Sequence, residues 1–336
     1  MKRVTVLGAG SWGTALAALL QKRGHEVTLW GRIEDGILEV ARQRVNSRFL
    51  PGVTIADQIQ VTPDLDYALH RPEILVLSVP SQALRSVLQQ IENRVGSDVV
   101  IVNTAKGIEN GSHLRMSEVV CETWGDGILK RYAVLSGPSH AEEVGREIPT
   151  AVVAASIHLP TAQLVQDVFM SRCFRVYTSQ DVIGVEMGGS LKNIIALATG
   201  ISEGLCFGDN TKAALLTRGL VEIIRMGVQV GAEARTFAGL SGLGDLVVTC
   251  NSRHSRNSRA GVLIGQGCTR EQAIESVGMV VEGIMTTKAA YEMSHELGVE
   301  MPITNTVYEV LFENQPPGPA VWKLMERDKK DETLPS

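Results

Sequence analysis

The chain is poor in the residues that build several common kinds of protein. Aromatic residues make up only 4%, few for the ring platforms on which single-stranded nucleic acid stacks. The five cysteines, Cys121, Cys173, Cys206, Cys250 and Cys268, are odd in number and none stands as CxxC. That gives neither a disulfide framework nor a zinc site, and suits a reducing cytoplasm. The seven histidines include no HExxH pair, so no metal is expected. No run approaches the roughly 18–20 continuous apolar residues that cross a bilayer, and the glycines of the N-terminal MKRVTVLGAGSWG argue against a signal peptide. The net charge of −5 gives no general attraction to polyanions. Neither a nucleic-acid nor a membrane partner is expected, and any anion site must be local.

Glycine is abundant instead, 33 of 336 residues against an average of roughly 7%, so close backbone approaches are expected. The length allows two domains. Short apolar runs at Val4–Leu7, Val27–Trp30, Ile74–Val79, Val99–Val102, Ala133–Leu135 and Ala151–Ala155 alternate with helical patterns. Such alternation predicts βαβ units around a mostly parallel sheet, an α/β Rossmann-like domain over 1–180. Beyond that the pattern turns helical, near 182–203, 211–230, 258–264, 270–276, 285–297 and 303–312. An all-α substrate-binding domain is therefore predicted over 181–336, ending in a charged, frayed tail, Glu326–Ser336.

The first strand runs into Gly8-Ala9-Gly10-Ser11-Trp12-Gly13. This GxGxxG opens a helix, the context in which glycines admit a dinucleotide pyrophosphate to a helix N-terminus. The second strand ends Leu29-Trp30-Gly31-Arg32, with no carboxylate before Glu34. An acid there would hold the ribose 2′-hydroxyl of NAD; Arg32 suits the 2′-phosphate of NADP, which is favoured without excluding NAD.

Two isolated charges mark the chemistry. Lys192 is the only charge in MGGSLKNIIALATGI, residues 187–201, and Gly188 and Gly189 strip bulk from its helix face, leaving room for a nicotinamide or small substrate. Asp245 stands alone in FAGLSGLGDLVVTC, residues 237–250. Buried charges pair, so the two are expected to meet, with Asp245 orienting and tuning a general acid/base lysine. Residues 253–259 read RHSRNSR. Asn257 or Ser258 can cap the following helix, and with Arg256 they make a phosphate site, pointing to a small phosphorylated substrate. Lys106 and Ser139 follow the strand runs at Val99 and Ala133, and strand ends are where open α/β sheets bind ligands.

Taken together, GAGSWGTALA (8–17), NTAKGI (103–108), SGPSHAEEV (136–144), SLKNIIALATG (190–200), LSGLGDLVVTC (240–250), SRHSRNSR (252–259) and VVEG (280–283) resemble the signature blocks of the bacterial-type NAD(P)-dependent glycerol-3-phosphate dehydrogenase family. The resemblance spans nearly the whole chain. It implies an oxidoreductase that interconverts dihydroxyacetone phosphate and sn-glycerol 3-phosphate for phospholipid synthesis, with Lys192 as general acid/base. It further implies substrate contacts from Lys106, Gly137, Ser139, Lys192, Asp245, Ser255, Arg256 and Asn257. Cofactor contacts are implied from Ser11, Trp12, Arg32, Lys106, Ala141, Arg256, Val280 and Glu282; an indole at the start of the helix, as at Trp12, can pack on the dinucleotide. A cytoplasmic homodimer is expected. A related hydroxyacid dehydrogenase would need no phosphate loop and would carry Asn four residues after the lysine, where Ala196 stands. An inactive dinucleotide sensor would keep Gly8, Gly10 and Gly13 but need neither Lys192 nor Asp245.

Overall fold

The computed structural model describes residues 1–329, 331 and 332; part of the tail expected to fray lies outside them. The chain forms two compact units, Met1–Lys106 with Leu114–Val185, and Gly107–His113 with Glu186–Ser336.

The first unit is built on an eight-stranded sheet. Across it the strands run Phe174–Ser179, Thr150–Ala155, Tyr132–Ser136, Val100–Asn103, Ile74–Leu77, Arg3–Leu7, Glu26–Trp30 and Gln60–Thr62. Every pairing is parallel except Tyr132–Ser136 with Thr150–Ala155. All six strands expected from the apolar runs are present. The central strand has register Val4 to Val27 on one side and Val4 to Ile74 on the other. Continuous apolar runs fit here because both faces are covered. Val4 and Val6 join a core with Leu16, Leu20, Val165 and Phe169; Leu7, Leu75 and Leu77 join another with Leu84, Leu88, Val119 and Val120.

Two strands escape the apolar-run criterion. Gln60–Thr62 is three residues long, and Phe174–Ser179 buries Phe174 and Val176 while exposing Arg175 and Tyr177, the alternation of an edge strand. A small antiparallel pair, Val45–Asn46 with Leu50–Thr54, is likewise too short and broken to announce itself.

The second unit is helical. Its centre is the helix Val182–Gly204, whose first four residues belong to the first unit; it is buried from Gly184 through Ser202, the polar Glu186, Lys192 and Asn193 included. Around it lie Asp209–Gln229, Arg256–Gly265, Arg270–Val277, Glu282–Glu296 and Pro302–Phe312, each within a few residues of the predicted span. Asp245–Asn251 and Pro317–Met325 are additional helices. No described helix is long and apolar enough to cross a membrane.

Glycine fixes how tightly these helices pack. A Cβ at Gly200 would stand 2.2 Å from the Ser258 carbonyl oxygen, and one at Gly261 would stand 2.3 Å from that of Leu197. One turn on, Gly204 meets Val262 and Gly265 meets Ile201 in the same way, each at 2.3 Å. Two glycines four residues apart on each helix thus let Val182–Gly204 and Arg256–Gly265 touch backbone to backbone.

A buried carboxylate performs a similar service nearby. Glu222 accepts hydrogen bonds from the Ile303 and Thr304 amides and the Thr304 hydroxyl. It therefore caps Pro302–Phe312 from a neighbouring helix, where the helix dipole favours negative charge. Burial pushes its carboxyl up to about 7, against these donors, which hold it down. A raised carboxylate pKa contributes stability that is complete below the unfolded value near 4.5 and is lost as pH rises through about 7. Glu222→Gln should remove that dependence, which is worth up to about 3 kcal/mol across the window. Melting curves at pH 5 and pH 7.5 check it: the wild type's advantage over the variant should shrink at the higher pH, and a constant difference would contradict the titration.

Candidate active site

The glycine-rich turn sits where the first strand meets the helix Ser11–Lys22. Gly8 has φ +111°, and a Cβ there would meet the Ser78 carbonyl oxygen at 2.4 Å. Gly13 is held still closer, 1.9 Å from a built Cβ to the Gly8 oxygen. Gly10 differs: nothing lies within 4 Å of the position its Cβ would take. Gly8 and Gly13 therefore shape the turn, and Gly10 leaves its outer face open. Gly10 is also the N-cap residue and provides no side-chain cap, and the first turn carries no acid. This is the arrangement a dinucleotide pyrophosphate requires, backbone amides and a positive dipole end with no competing carboxylate. Asn46 braces the turn, donating to the Ala9 carbonyl at 2.8 Å and to Thr14 Oγ1 at 2.9 Å. Sequence reasoning missed it, because an asparagine in a short hairpin carries no local signal.

Trp12 is the second residue of the helix that follows the turn. Its indole faces Phe174, with ring centroids 6.5 Å apart, and packs against the core of the first unit. Arg32 is exposed at the end of its strand, and its Nε bonds Asp35 Oδ2 at 2.8 Å. Asp35 carries no signal in the sequence, being three residues beyond Arg32.

The loops after two neighbouring strands converge. Lys106 Nζ donates to the Gly137 carbonyl at 3.1 Å, and Ser139 Oγ donates to the same oxygen at 2.9 Å. Gly137 has φ +144°, and a Cβ there would press on Val152 Cα at 2.9 Å. Ala141 is buried at the start of a short helix, Ala141–Gly145.

In the helical unit Lys192 is 5% exposed and Asp245 1%. The lysine Nζ bonds the Asp245 carboxylate and also donates to Thr249 Oγ1 at 2.7 Å. Thr249 lies one turn beyond Asp245 on Asp245–Asn251 and donates to the Asp245 backbone carbonyl at 2.6 Å. The pairing read from the two isolated charges is thus present in the structure, with a hydroxyl that the sequence does not single out. The space beside Gly188 is not left for a ligand. A Cβ there would meet the Ser241 carbonyl oxygen at 2.6 Å, so Gly188 admits the segment that carries Asp245. Gly242 is equally tight against Phe237, 2.2 Å from its carbonyl oxygen.

The cap of Arg256–Gly265 is Ser255, whose Oγ accepts from the Ser258 amide at 3.2 Å. The cap thus falls earlier than Asn257 or Ser258, the positions expected, because the helix begins at Arg256. Asn257 acts as a tie instead. Its Nδ2 donates to Asn193 Oδ1 and its Oδ1 accepts from the Gly283 amide, both at 2.9 Å. It links the residue after Lys192 to the start of Glu282–Glu296. Glu282 is the first residue of that helix, and Val280 is exposed just before it. No cluster of potential metal ligands occurs among the described residues.

The family comparisons agree in both halves. Residues 3–162 match the NAD-dependent glycerol-3-phosphate dehydrogenase N-terminus and residues 181–321 the corresponding C-terminus. A glycerol-3-phosphate dehydrogenase [NAD(P)+] of Syntrophomonas wolfei is 55% identical over 332 residues, covering 99% of this chain and 97% of the relative. The crystal structure of glycerol-3-phosphate dehydrogenase from Coxiella burnetii superposes with TM-score 0.93 at 38% identity, covering 97% of this chain and 99% of that one. A glycerol-3-phosphate dehydrogenase structure from Saccharomyces cerevisiae gives TM-score 0.80 at 28% identity, with 97% and 99% covered. This chain belongs to the NAD-dependent glycerol-3-phosphate dehydrogenase family.

Proposed function

We propose that the protein reduces dihydroxyacetone phosphate to sn-glycerol 3-phosphate with NAD(P)H, reversibly, and so supplies the backbone of glycerophospholipids. The observation that carries the reading is the buried ammonium of Lys192, held by Asp245 and Thr249. When bound, the dinucleotide supplies the hydride. Lys192 gives its proton to the C2 oxygen of the ketone as the alkoxide forms, and takes it back in the reverse direction. Asp245 keeps the lysine protonated and, with Thr249, aims Nζ. One ketone, one reduced cofactor and one proton give one alcohol and one oxidised cofactor.

Ser255, Arg256 and Asn257, at the N-terminal end of their helix, serve the substrate phosphate, with the guanidinium as the charged partner. Lys106, Gly137 and Ser139 add contacts from the strand ends. Gly8, Gly10 and Gly13 seat the pyrophosphate. Because the Trp12 ring is turned to Phe174, Ser11 and Trp12 serve through their backbone amides. Arg32 selects for the 2′-phosphate of NADP, and Ala141, Arg256, Val280 and Glu282 complete the cofactor site by family likeness. The five free cysteines support a cytoplasmic setting, and two-fold dimers are the commonest soluble assembly.

Initial rates with dihydroxyacetone phosphate should be higher with NADPH than with NADH at equal subsaturating concentration; the reverse order would remove Arg32 from its role. Lys192→Ala should lower kcat by about 10²–10⁴-fold while cofactor affinity, read by fluorescence titration, is kept. Undiminished turnover would remove the lysine from the chemistry. Arg256→Ala should raise KM for dihydroxyacetone phosphate by about 10–100-fold, the loss of a charge-assisted phosphate contact; an unchanged KM would place the phosphate elsewhere.

A further inference from the structure

The run Arg253–Arg259 carries three arginines, of which the proposed mechanism uses only Arg256. Arg253 and Arg259 instead line an open pocket of about 570 Å³ within the helical unit, together with Lys212, Glu203, Ser252 and Ser258. The pocket lies where the end of Val182–Gly204 and the start of Asp209–Gln229 meet the flank of Arg256–Gly265. Lys192, Asp245, Arg256 and Asn257 are not among its lining residues, so it is distinct from the lysine's site.

Its charge is the opposite of the protein's. Lys212, Arg253 and Arg259 face a single acid, Glu203, which leaves two formal positive charges on a chain whose net charge is −5. Lys212 and Glu203 pair with each other at 3.5 Å. Neither Arg253 nor Arg259 forms an ion pair among the described residues. Arg253 and Arg259 are both exposed, so their guanidinium groups are open to an incoming anion. Hydroxyls of Ser252 and Ser258 add neutral donors to the lining. The volume falls within the roughly 300–1,000 Å³ of small-molecule pockets. A phosphate monoester brings about −1.5 to −2 charges and three acceptor oxygens, which matches the two uncompensated cations.

We propose that this pocket is a second phosphate site, separate from the catalytic one, which takes inorganic phosphate or a small phosphate monoester. The site is coupled to the catalytic loop by the chain itself. Ser252 accepts from the His254 amide through its side chain at 3.1 Å, and from the Ser255 amide through its carbonyl at 3.1 Å. An occupant bonded to Ser252 and Arg253 therefore bears on the turn that sets the Ser255 cap.

Calorimetric titration of the full chain with inorganic phosphate, and separately with glycerol 2-phosphate, tests the proposal without turnover. Arg256→Ala protein should still bind at least one of the two probes. Adding Arg253→Ala and Arg259→Ala should weaken that binding at least about tenfold, and the tighter probe identifies free phosphate or ester as the occupant. The Arg253→Ala/Arg259→Ala double variant should keep the wild-type KM for dihydroxyacetone phosphate; this arm alone rests on the proposed activity. No binding to Arg256→Ala protein, binding indifferent to the other two arginines, or a double-variant KM raised as far as that of Arg256→Ala would each overturn the second site.

Discussion

The helical unit is organised around one ion pair taken out of water. Lys192 and Asp245 are both buried, and neither charge could stay there alone. Removing one partner of such a pair leaves an uncompensated charge costing about 3–5 kcal/mol. The surroundings are arranged so that the two can meet. Gly188 admits the Asp245 segment against the central helix, and Gly242 lets that segment fold tightly on Phe237. Thr249 gives the ammonium a further acceptor. A buried pair of this kind adds little net stability; what it provides is an ammonium of fixed position, shielded from bulk water.

Glycine plays a similar part near the turn at Ser255. Gly200 with Gly261, and Gly204 with Gly265, bring the helix that follows the Ser255 cap onto the helix that carries Lys192. Backbone-to-backbone contact leaves no slack for side-chain repacking, and the Asn257–Asn193 bond adds a tie beside the lysine. The spacing between Lys192 and the turn at Ser255 is thereby built into the packing of two helices. Precision of this order matters, since a misplacement of about 1 Å can cost 10²-fold in rate.

Much of this is legible in the residues themselves. The six apolar strands, the helical second half and the glycine-rich turn follow from periodicity and composition, because a buried parallel strand and an apolar core helix leave strong marks. Lys192 and Asp245 are legible for a related reason: a lone charge in an apolar stretch must find a partner. Thr249 and Asn46 are not, since a hydroxyl or amide gains its role from a neighbour distant in sequence. Gly188 and Gly189 suggest ligand space by their position, whereas Gly188 admits backbone; sequence shows that room is made, not what fills it. Phe174, the ring neighbour of Trp12, is not legible either, since it lies on an edge strand whose alternation gives no continuous run.

The chemistry proposed for the site depends on the Asp245 carboxylate holding the Lys192 proton. The pH dependence of kcat for ketone reduction, compared between the wild type and Asp245→Asn, addresses it most directly. Reduction requires the ammonium, so kcat falls as pH rises through the lysine's titration. Loss of the carboxylate disfavours the charged form in a buried setting. The falling limb should therefore move to lower pH in Asp245→Asn, along with a lower plateau. A limb at the wild-type position would contradict the assignment of Lys192 as the proton donor tuned by Asp245.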